Sequence, residues 1–531
     1  MRYRVLNIPL WVGEDDAVLT QRAAKMLRLP REALLTVTVI RRSLDARKKG
    51  HPRWLVNLEV ELANRAAEGL SDVEPAPPPP PEPARVRAPG LPPVILGAGP
   101  AGLFCAHALL ERGVRSIVID RGKLVVPRRV DVARLMRSGD LDPESNMNFG
   151  EGGAGAYTDG KLGTRIHHPG VRKVVELFAH YGGVARILAE AKPHVGSDLL
   201  PAAVSAMRAD LERGGCAFLF GARVVDVELS HGQVSAAVLA DGRSVRCDRL
   251  VLAPGNSARE LFALFEARGW PIQAKPFAVG FRVEHPQALI NHIQYGRAAG
   301  RQDLPPADYR LADNPRVDGA PRGVFSFCMC PGGVVVPTPT EPELQCTNGM
   351  SNSLRSSPFA NAGLVVAVGP SDFEAQGHKG PLAGLHWQRH WEARAYALGG
   401  GHYRAPAQRV TDYLEGRLGL PPGRSTYPPG LSHADLGPLF PPAVRKALVA
   451  ALRAFERRMH GYLTSEAVLV GVETRTSSPC RLVRDPSSLQ SPGLRGLYPA
   501  GEGAGYAGGI VSSAVDGLRV AEIICAELEP A

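Results

Sequence analysis

The sequence predicts an α/β protein: a small N-terminal α+β domain, then a central α/β domain that carries an inserted mixed α+β domain. Three observations predict this arrangement. A proline-rich segment separates the first domain from the rest, a glycine-rich turn joins a short apolar strand to a helix near residue 97, and another glycine-rich turn precedes the last predicted helix. The 531 residues, 44% hydrophobic and 21% charged, suffice for several packed domains and exclude a mostly disordered chain.

The N-terminal domain, residues 1–72, alternates between strand and helix patterns. Its predicted elements are strands at 3–8, 34–41 and 54–62 and a helix at 14–29. The side chains that share one face of the last strand are Trp54, Val56, Leu58, Val60 and Leu62. We therefore expect one helix on a sheet of about three strands.

Cations gather between the last two of these strands, at Arg41, Arg42, Arg47, Lys48 and Lys49. On a hairpin tip they either contact the phosphates of nucleic acid or form a solvated basic turn. No aromatic side chains for base stacking alternate with them, which favours the solvated turn and makes nucleic acid the less favoured partner. The net charge of +10 is spread over the whole chain and adds little to either interpretation.

Residues 73–93 form the predicted linker. Ten prolines lie between 75 and 93, with an unbroken run from Pro77 to Pro81. Such a stretch favours extended polyproline geometry, so we expect a semi-rigid spacer.

The central domain begins with an apolar strand at 94–96, followed by Gly97, Gly99 and Gly102 in a G-x-G-x-x-G pattern and by a helix at 101–112. Gly97 permits a tight turn, Gly99 lets the backbone approach a diphosphate, and Gly102 lets the helix pack closely on the strand. The free amides and dipole at the start of the helix then attract the diphosphate. This context predicts a Rossmann-type dinucleotide site.

Asp120 ends the second strand, 116–120. It lies 18 residues after Gly102, close to the spacing of about 20 that is typical of a carboxylate binding ribose hydroxyls. Further elements are predicted as a helix at 203–213, strands at 222–229, 234–239 and 244–252, and a last helix at 512–527.

Two glycine-rich segments far apart in the chain, 148–162 and 496–510, carry a resemblance to a known family. With the strand and Ala/Gly turn at 249–255, they resemble the FAD-binding oxidoreductases of the glutathione-reductase superfold. The chain is more narrowly similar to an uncharacterised bacterial family of FAD-dependent dehydrogenases, or NAD(P)/FAD-dependent oxidoreductases. The segments that carry this narrower similarity are 129–132, 148–162, 277–286, 326–333 and 471–479.

The resemblance implies FAD as cofactor, an FAD-binding domain assembled from 94–267 and 491–531, and a substrate domain at 268–490. Asn256 departs from the family pattern, in which His is expected. The residues that the resemblance assigns to the cofactor are Gly97, Gly99, Pro100, Ala101, Gly102, Asp120, Arg121, Gly152, Gly153, Ala154, Gly155, Val224, Ala253, Gly255, Gly501, Glu502, Gly508, Gly509 and Ile510. Among them, Glu502 stands where the family has its ribityl-phosphate acid, and the last three present helix N-terminal amides to the flavin.

The candidates for catalysis are Lys161, His285 and Arg475. Lys161 follows the flavin loop and either transfers a proton or pairs with an anion. His285 is either an acid/base or a structural histidine, and Arg475 either binds an anionic substrate or stabilises a turn. Cys328 and Cys330 alternate along a strand, so we expect their side chains on opposite faces and in structural roles.

These observations predict an FAD-dependent oxidoreductase that transfers hydride between its flavin and a small molecule, for which Arg475 makes an anion one candidate. No second G-x-G-x-x-G unit follows the first, so NAD(P)H would donate electrons without a Rossmann domain of its own. The alternatives are a flavoenzyme that modifies RNA and a non-catalytic flavoprotein sensor.

Two further expectations come from what the sequence lacks. No run of about 18 apolar residues is present, and Met1–Trp11 lacks the apolar stretch of a signal peptide. We therefore expect a cytoplasmic protein without a membrane span. The 8 cysteines include no C-x-x-C pair, so neither a disulfide framework nor a metal site is expected.

Overall fold

The structure is a computed structural model that describes residues 1–63, 69–78 and 81–531. Pro79 and Pro80 of the predicted linker lie outside the described residues. The helices are α1 (Ala17–Leu27), α2 (Pro100–Glu111), α3 (Val125–Ser138), α4 (Gly170–Gly182), α5 (Leu200–Arg213), α6 (Arg259–Ala267), α7 (Gln287–Tyr295), α8 (Pro370–Glu374), α9 (Ala383–Leu398), α10 (Val410–Glu415), α11 (Pro442–Arg458) and α12 (Ile510–Ala526).

The strands follow the same chain order. They are β1 (Arg2–Trp11), β2 (Leu34–Asp45), β3 (Arg53–Leu62), β4 (Val73–Pro75), β5 (Val94–Leu96), β6 (Ile117–Ile119), β7 (Ala217–Leu219), β8 (Val224–Ser230), β9 (Gln233–Leu239), β10 (Ser244–Arg246), β11 (Leu250–Leu252), β12 (Ile272–Ala274), β13 (Phe277–Pro286), β14 (Ala312–Asp313), β15 (Arg316–Val317), β16 (Ala320–Pro321), β17 (Val324–Cys330), β18 (Val334–Pro337), β19 (Thr347–Met350), β20 (Phe359–Val368), β21 (Ala405–Arg409), β22 (Leu431–His433), β23 (Val468–Glu473), β24 (Cys480–Leu482) and β25 (Leu497–Pro499).

The N-terminal domain is a four-stranded sheet in the order β2-β3-β1-β4, with α1 packed against it. The alternation in β3 has the predicted effect, because Val56, Leu58, Val60 and Leu62 are all buried. The fourth strand, β4, begins just beyond the predicted boundary at residue 72 and pairs with β1. A strand of three residues is too short to show a clear alternation of apolar and polar residues in the sequence.

The basic hairpin between β2 and β3 rests against the following domains. The Gly50 amide donates a hydrogen bond to the Tyr295 carbonyl (2.9 Å), and the Ala191 amide donates to the Arg42 carbonyl (3.0 Å). Asp45 forms ion pairs with Arg47 at 2.8 Å and with Arg53 at 3.7 Å. Backbone hydrogen bonds therefore join the hairpin to the following domains, in addition to the covalent connection of the chain.

The central domain is built on a parallel sheet in the order β25-β11-β5-β6-β7. The predicted strand at 244–252 is wrong in one respect: it is two strands. β10 joins the antiparallel sheet β10-β9-β8, and β11 joins the parallel sheet. The chain changes sheets at Cys247–Arg249, where a short turn interrupts an otherwise continuous apolar pattern.

Helices α2 and α12 pack directly against one another beside this sheet, so the last helix of the chain covers the first helix of the domain. The approach is close at Gly517, where a Cβ atom would lie 2.0 Å from the Ala101 carbonyl oxygen. Only glycine permits this contact, because a methyl group there would overlap the backbone of α2.

The inserted domain is a seven-stranded sheet in the order β14-β17-β20-β13-β23-β21-β22. Its neighbours are antiparallel except for β21 and β22. Helices α9 and α11 contribute Trp387, Trp391 and Phe455 to its core, all buried. The ends of β17 and β23 and the start of β19 face the central domain, and this junction holds the candidate site.

Candidate functional site

A cavity of about 1260 Å³ lies between the central and inserted domains. It exceeds the roughly 300–1,000 Å³ of an ordinary small-molecule pocket, so it has room for a dinucleotide and a second molecule. The residues that the sequence assigned to the cofactor line this cavity, with the exceptions of Gly102 and Gly152. The structure therefore brings together segments that are up to 400 residues apart in the chain.

The glycine turn after β5 owes its shape to close backbone contacts. Gly97 has φ of +106°, and a Cβ atom on it would lie 2.2 Å from the Ala253 carbonyl oxygen. A Cβ on Gly102 would lie 1.9 Å from the Gly97 carbonyl oxygen, which explains why Gly102 packs inside the turn and does not line the cavity. Gly99 differs, because its Cβ would meet only the Gly153 Cα, at 3.8 Å. Gly99 also lines the cavity, where its backbone is accessible to a ligand.

Asp120 closes the same turn from the end of β6. Its carboxylate accepts hydrogen bonds from the Ala98 amide (2.9 Å) and the Gly122 amide (2.8 Å), and its side chain lies at the cavity wall. Arg121, beside it, stacks its guanidinium 4.1 Å from the centre of the Phe149 ring. Both residues are held rigidly before any ligand binds, which lowers the entropic cost of binding.

The loop Gly152–Gly155 is held by Arg128, a residue that the sequence analysis did not select. This fully buried guanidinium donates to the carbonyl oxygens of Asn146, Glu151 and Gly153 at 2.7–2.8 Å. Burial lowers the pKa of Arg128 to about 10. Gly152 itself faces inward, where its amide donates to the Ala98 carbonyl at 2.8 Å. The loop is therefore anchored to the glycine turn on one side and to Arg128 on the other.

The C-terminal segment brings a second helix N-terminus to the cavity, at Ile510. Before it, Glu502 accepts a hydrogen bond from the Asn256 side-chain amide at 2.9 Å. Burial raises the pKa of Glu502 to about 7, against the lowering effects of Asn256 and Lys275. Asn256, noted in the sequence only as a departure from the family pattern, is thus a direct partner of the predicted cofactor acid.

FAD fits this arrangement on structural grounds. Gly99 lines the cavity at the N-terminus of α2, and the N-terminus of α12 reaches the cavity beside it, since a Cβ atom on Gly155 would lie 3.1 Å from the Pro100 ring and 3.7 Å from the Ile510 side chain. A diphosphate and an anionic ring edge are the groups that helix N-termini favour.

Comparison with known proteins agrees with this geometry. Residues 276–476 match the family described as "FAD-dependent protein, C-terminal domain-like", residues 92–269 match "Pyridine nucleotide-disulphide oxidoreductase", and residues 2–63 match a domain of unknown function, DUF8436. An uncharacterized protein of Clostridium beijerinckii is 39% identical over 532 residues, which cover 99% of this chain and 98% of that protein. The chain belongs to a family of FAD-dependent oxidoreductases.

Other similarities are more limited. A menaquinone reductase of Mycolicibacterium smegmatis is 32% identical over 191 residues, 33% of this chain and 40% of that protein. Among solved structures, glycine oxidase from Bacillus cereus is similar at 12% identity and a TM-score of 0.34, covering 83% of this chain and 96% of that one. The flavin-dependent brominase Bmp2 is similar at 12% identity and a TM-score of 0.35, covering 83% and 79%.

Among the described residues, no helix combines the length and apolar character that crossing a bilayer requires.

In this oxidoreductase, two of the four cysteines of the inserted domain, Cys328 and Cys330, depart from the sequence prediction. The prediction that Cys328 and Cys330 point to opposite faces is wrong, because both sulfurs lie near the Lys161 Nζ, at 3.8 and 3.5 Å. The pairing of β17 with β20 shifts register between Phe327 and Cys330, and Cys328 has φ of +43°. A bulge with a left-handed residue cancels the alternation of a regular strand.

Lys161, the first catalytic candidate, lies at the inner wall of the cavity. Its ammonium is 2.7 Å from Asp159 Oδ2, and His194 Nε2 is 3.6 Å from the other oxygen of that carboxylate. Burial lowers the pKa of Lys161, but its electrostatic interactions with Cys328, Cys330 and Asp159 and its hydrogen bond to Asp159 raise it more, so the net shift is upward. Lys161 is therefore a stable cation beside the cofactor loop.

The other two candidates have partners that fix their roles. His285 lies in the core of the inserted domain, away from the cavity, where its Nε2 is 2.9 Å from the Tyr462 carbonyl oxygen and burial lowers its pKa to about 4. Arg475 reaches the cavity, yet its guanidinium pairs with Glu392 at 2.9 Å. Arg259 pairs with the same carboxylate at 2.8 Å.

Proposed function

We propose that this FAD-dependent oxidoreductase is of the glutathione-reductase type and transfers hydride between its flavin and a small anionic substrate in the cavity. The observation that carries the proposal is the charge of the outer cavity. Arg165, Arg310 and Arg355 line it, and within residues 1–63, 69–78 and 81–531 none of the three forms an ion pair. The Arg355 Nε is in addition buried without a hydrogen-bond partner.

Two neighbouring cations, Lys192 and Arg475, do form ion pairs. Lys192, at the same mouth, is paired with Asp308 at 2.6 Å, and Arg475 deeper inside is paired with Glu392. The three unpaired guanidinium groups therefore give the entrance a net positive potential. Such a potential attracts anions, and a guanidinium matches carboxylate or phosphate oxygens in geometry.

The residues assigned to FAD divide the cavity by function. The turn at Gly99 and the N-terminus of α2 would hold the diphosphate, Asp120 the adenosine ribose, and Glu502 the ribityl-phosphate end. Bound there, FAD supplies two-electron chemistry. The N-terminal amides of α12 would stabilise negative charge on the flavin edge, and Lys161 would hold a proton or an anion beside the reacting face.

The experiment compares hydride donors of different charge. Anaerobic reduction of the bound flavin would be followed by visible absorbance with NADPH, NADH and a neutral N-benzyl dihydronicotinamide, over a range of ionic strength. We expect the anionic donors to react faster at low salt and to lose that advantage as salt is added, because the attraction is screened beyond about 8–10 Å at 0.1–0.15 M salt.

Arg310→Glu is the test variant, and Arg453→Glu, an exposed cation of α11 outside the cavity, is its matched control. We expect Arg310→Glu to slow the bimolecular reaction with NADPH about tenfold or more at low salt, with the neutral donor unaffected. Equal rates for both variants would contradict the anionic-substrate proposal. A flavin that none of the three donors reduces would reject nicotinamide as electron source and favour the sensor alternative.

One observation keeps the nucleic-acid alternative as a prediction. Lys48 and Lys49 on the basic hairpin are exposed, and in the described chain neither forms an ion pair. Binding of labelled RNA that is lost on replacing Arg47, Lys48 and Lys49 with Glu would support it, and no binding at low salt would remove it. The cytoplasmic location also stays a prediction from the sequence.

A further inference from the structure

The convergence of two cysteines beside the cofactor loop is a feature that hydride transfer alone does not use. Cys328 is partly exposed to the cavity, whereas Cys330 is fully buried behind it. The Cys330 thiol donates a hydrogen bond to the Cys328 carbonyl oxygen at 3.2 Å, and the Lys161 ammonium lies 3.8 Å from the Cys328 sulfur and 3.5 Å from the Cys330 sulfur. The bulge in β17 is what brings them together.

The surroundings of Cys328 favour its thiolate. Hydrogen bonding by Cys330 lowers the pKa of Cys328, burial raises it, and the charges of Lys161 and Arg282 lower it further, so the net shift is well downward. The Arg282 guanidinium also donates to the Cys328 carbonyl at 2.9 Å. A thiolate that is partly exposed in a cationic setting is the reactive form of cysteine.

Cys328 is also close to the cofactor assignment. It lines the same cavity as Gly153 and Glu502, and a negative charge on its sulfur raises the pKa of Glu502. The charge of the thiolate is therefore felt at the segment that would hold the flavin end of FAD. Cys330, with a pKa raised by burial and by Cys328, stays protonated.

We propose that Cys328 and Cys330 form a redox-active dithiol–disulfide pair that exchanges two electrons with the bound flavin. In the forward step a sulfur–sulfur bond forms between the Cys328 thiolate and Cys330, and the S–H bond of Cys330 breaks. The pair loses two electrons and one proton, and oxidised FAD gains the two electrons and the proton to become FADH⁻. In reverse, FADH⁻ reduces the disulfide. The proposal rests on FAD binding and is independent of the substrate's charge.

The test counts electrons and thiols in the holoenzyme. Anaerobic titration with dithionite is expected to consume four electrons per FAD in the wild type and two in Cys328→Ser and Cys330→Ser. Cys346→Ser is the matched control. Cys346 lies in the same domain, and its sulfur contacts Thr474 Oγ1 at 3.6 Å, a contact that a serine hydroxyl can also make. The Cys346→Ser variant is expected to consume four electrons per FAD.

A second readout does not depend on turnover or on the variants folding. Holoenzyme isolated in air would be denatured and alkylated before and after reduction, then analysed by mass spectrometry. We expect six of the 8 cysteines to react before reduction, with Cys328 and Cys330 protected in one peptide, and all to react after it. Eight reactive cysteines before reduction, or two electrons per FAD in the wild type, would overturn the proposal.

Lys161→Met separates a redox pair from a merely structural one. Without the ammonium, the thiolate of native reduced holoenzyme loses its nearest positive charge. The midpoint of the pH dependence of Cys328 alkylation should then rise by about one pH unit. An unchanged midpoint would contradict the role assigned to Lys161 and to the thiolate.

Discussion

Replacing Gly99 with alanine separates cofactor binding from folding. Gly99 has φ of −81° and ψ of −175°, an extended conformation that alanine also adopts, and its added Cβ would meet only the Gly153 Cα at 3.8 Å. The smaller entropy of an unfolded chain with alanine stabilises the fold by about 0.4–1 kcal/mol. Glycine is the better helix N-cap, which offsets that gain. We expect the free energy of unfolding of the flavin-free variant to lie within about 1 kcal/mol of the wild-type value.

The cofactor should respond differently. The new methyl group would cover part of the cavity-lining backbone of Gly99, where we place the diphosphate. Inserting a methyl group into a filled contact costs about 1–3 kcal/mol. The dissociation constant for FAD should therefore rise about 5- to 150-fold. Gly102→Ala should instead destabilise the flavin-free protein, because its Cβ would lie 1.9 Å from a carbonyl oxygen.

The assay is a fluorescence titration of flavin-free protein with FAD, paired with thermal unfolding followed by circular dichroism. Gly163→Ala is the control, since Gly163 also lines the cavity and a Cβ on it has no neighbour within 4 Å. It should bind FAD as the wild type does. Wild-type affinity in Gly99→Ala would refute the assignment of this turn to the diphosphate. A large loss of stability without flavin would refute the claim that the fold tolerates the methyl group.

Three further predictions concern buried charges. Burial raises the pKa of Glu502 from 4.5 to about 7, so the folded protein holds a proton that the unfolded chain releases. The stability of the flavin-free protein should fall by up to about 3 kcal/mol as pH rises from about 4.5 to 7. Urea unfolding of Glu502→Gln should lack that fall, and parallel pH curves would contradict it. Glu392→Gln leaves the Arg475 guanidinium buried without a carboxylate and leaves Arg259 with Glu341 as its remaining carboxylate partner, at 2.8 Å. It should cost about 3–5 kcal/mol in urea unfolding, and a loss below about 1 kcal/mol would argue against a shared ion pair. Arg128→Met removes one hydrogen bond to the cofactor loop, at the Gly153 carbonyl, and two to the Asn146 and Glu151 carbonyls that precede it. It should speed FAD release about tenfold or more in a displacement experiment, whereas unchanged release would show that the loop holds without Arg128.

Local patterns predicted the framework of the cofactor site. The turn from Gly97 to Gly102 sits between a strand and a helix as expected, and the last helix begins at Ile510, two residues before its predicted start. Gly97 and Gly102 have no substitute at their positions, because a Cβ atom on either would overlap a carbonyl oxygen, so the spacing of the glycines reveals the turn.

The missed features depend on contacts that no local pattern records. Arg128 reads as one cation among several on a helix, although its guanidinium holds the loop that begins more than twenty residues later. The role of Asn256 becomes visible only in its hydrogen bond to Glu502, which lies 246 residues away in the chain. The alternation of Cys328 and Cys330 failed because a register shift and a left-handed residue cannot be inferred from residue types that also suit a regular strand.

The packing of α12 on α2 has a consequence for the order in which the protein assembles. Helix α2 and the glycine turn are synthesised about 400 residues before β25 and α12, which complete their sheet and cover their helix. At roughly 5–20 residues per second, the ribosome needs roughly 20–80 s to make that stretch. Throughout this interval the first half of the cofactor site exists without the second. Both cofactor-binding segments are present only after α12 has been synthesised. Tight retention of FAD therefore indicates a chain that has been translated through α12 and has folded.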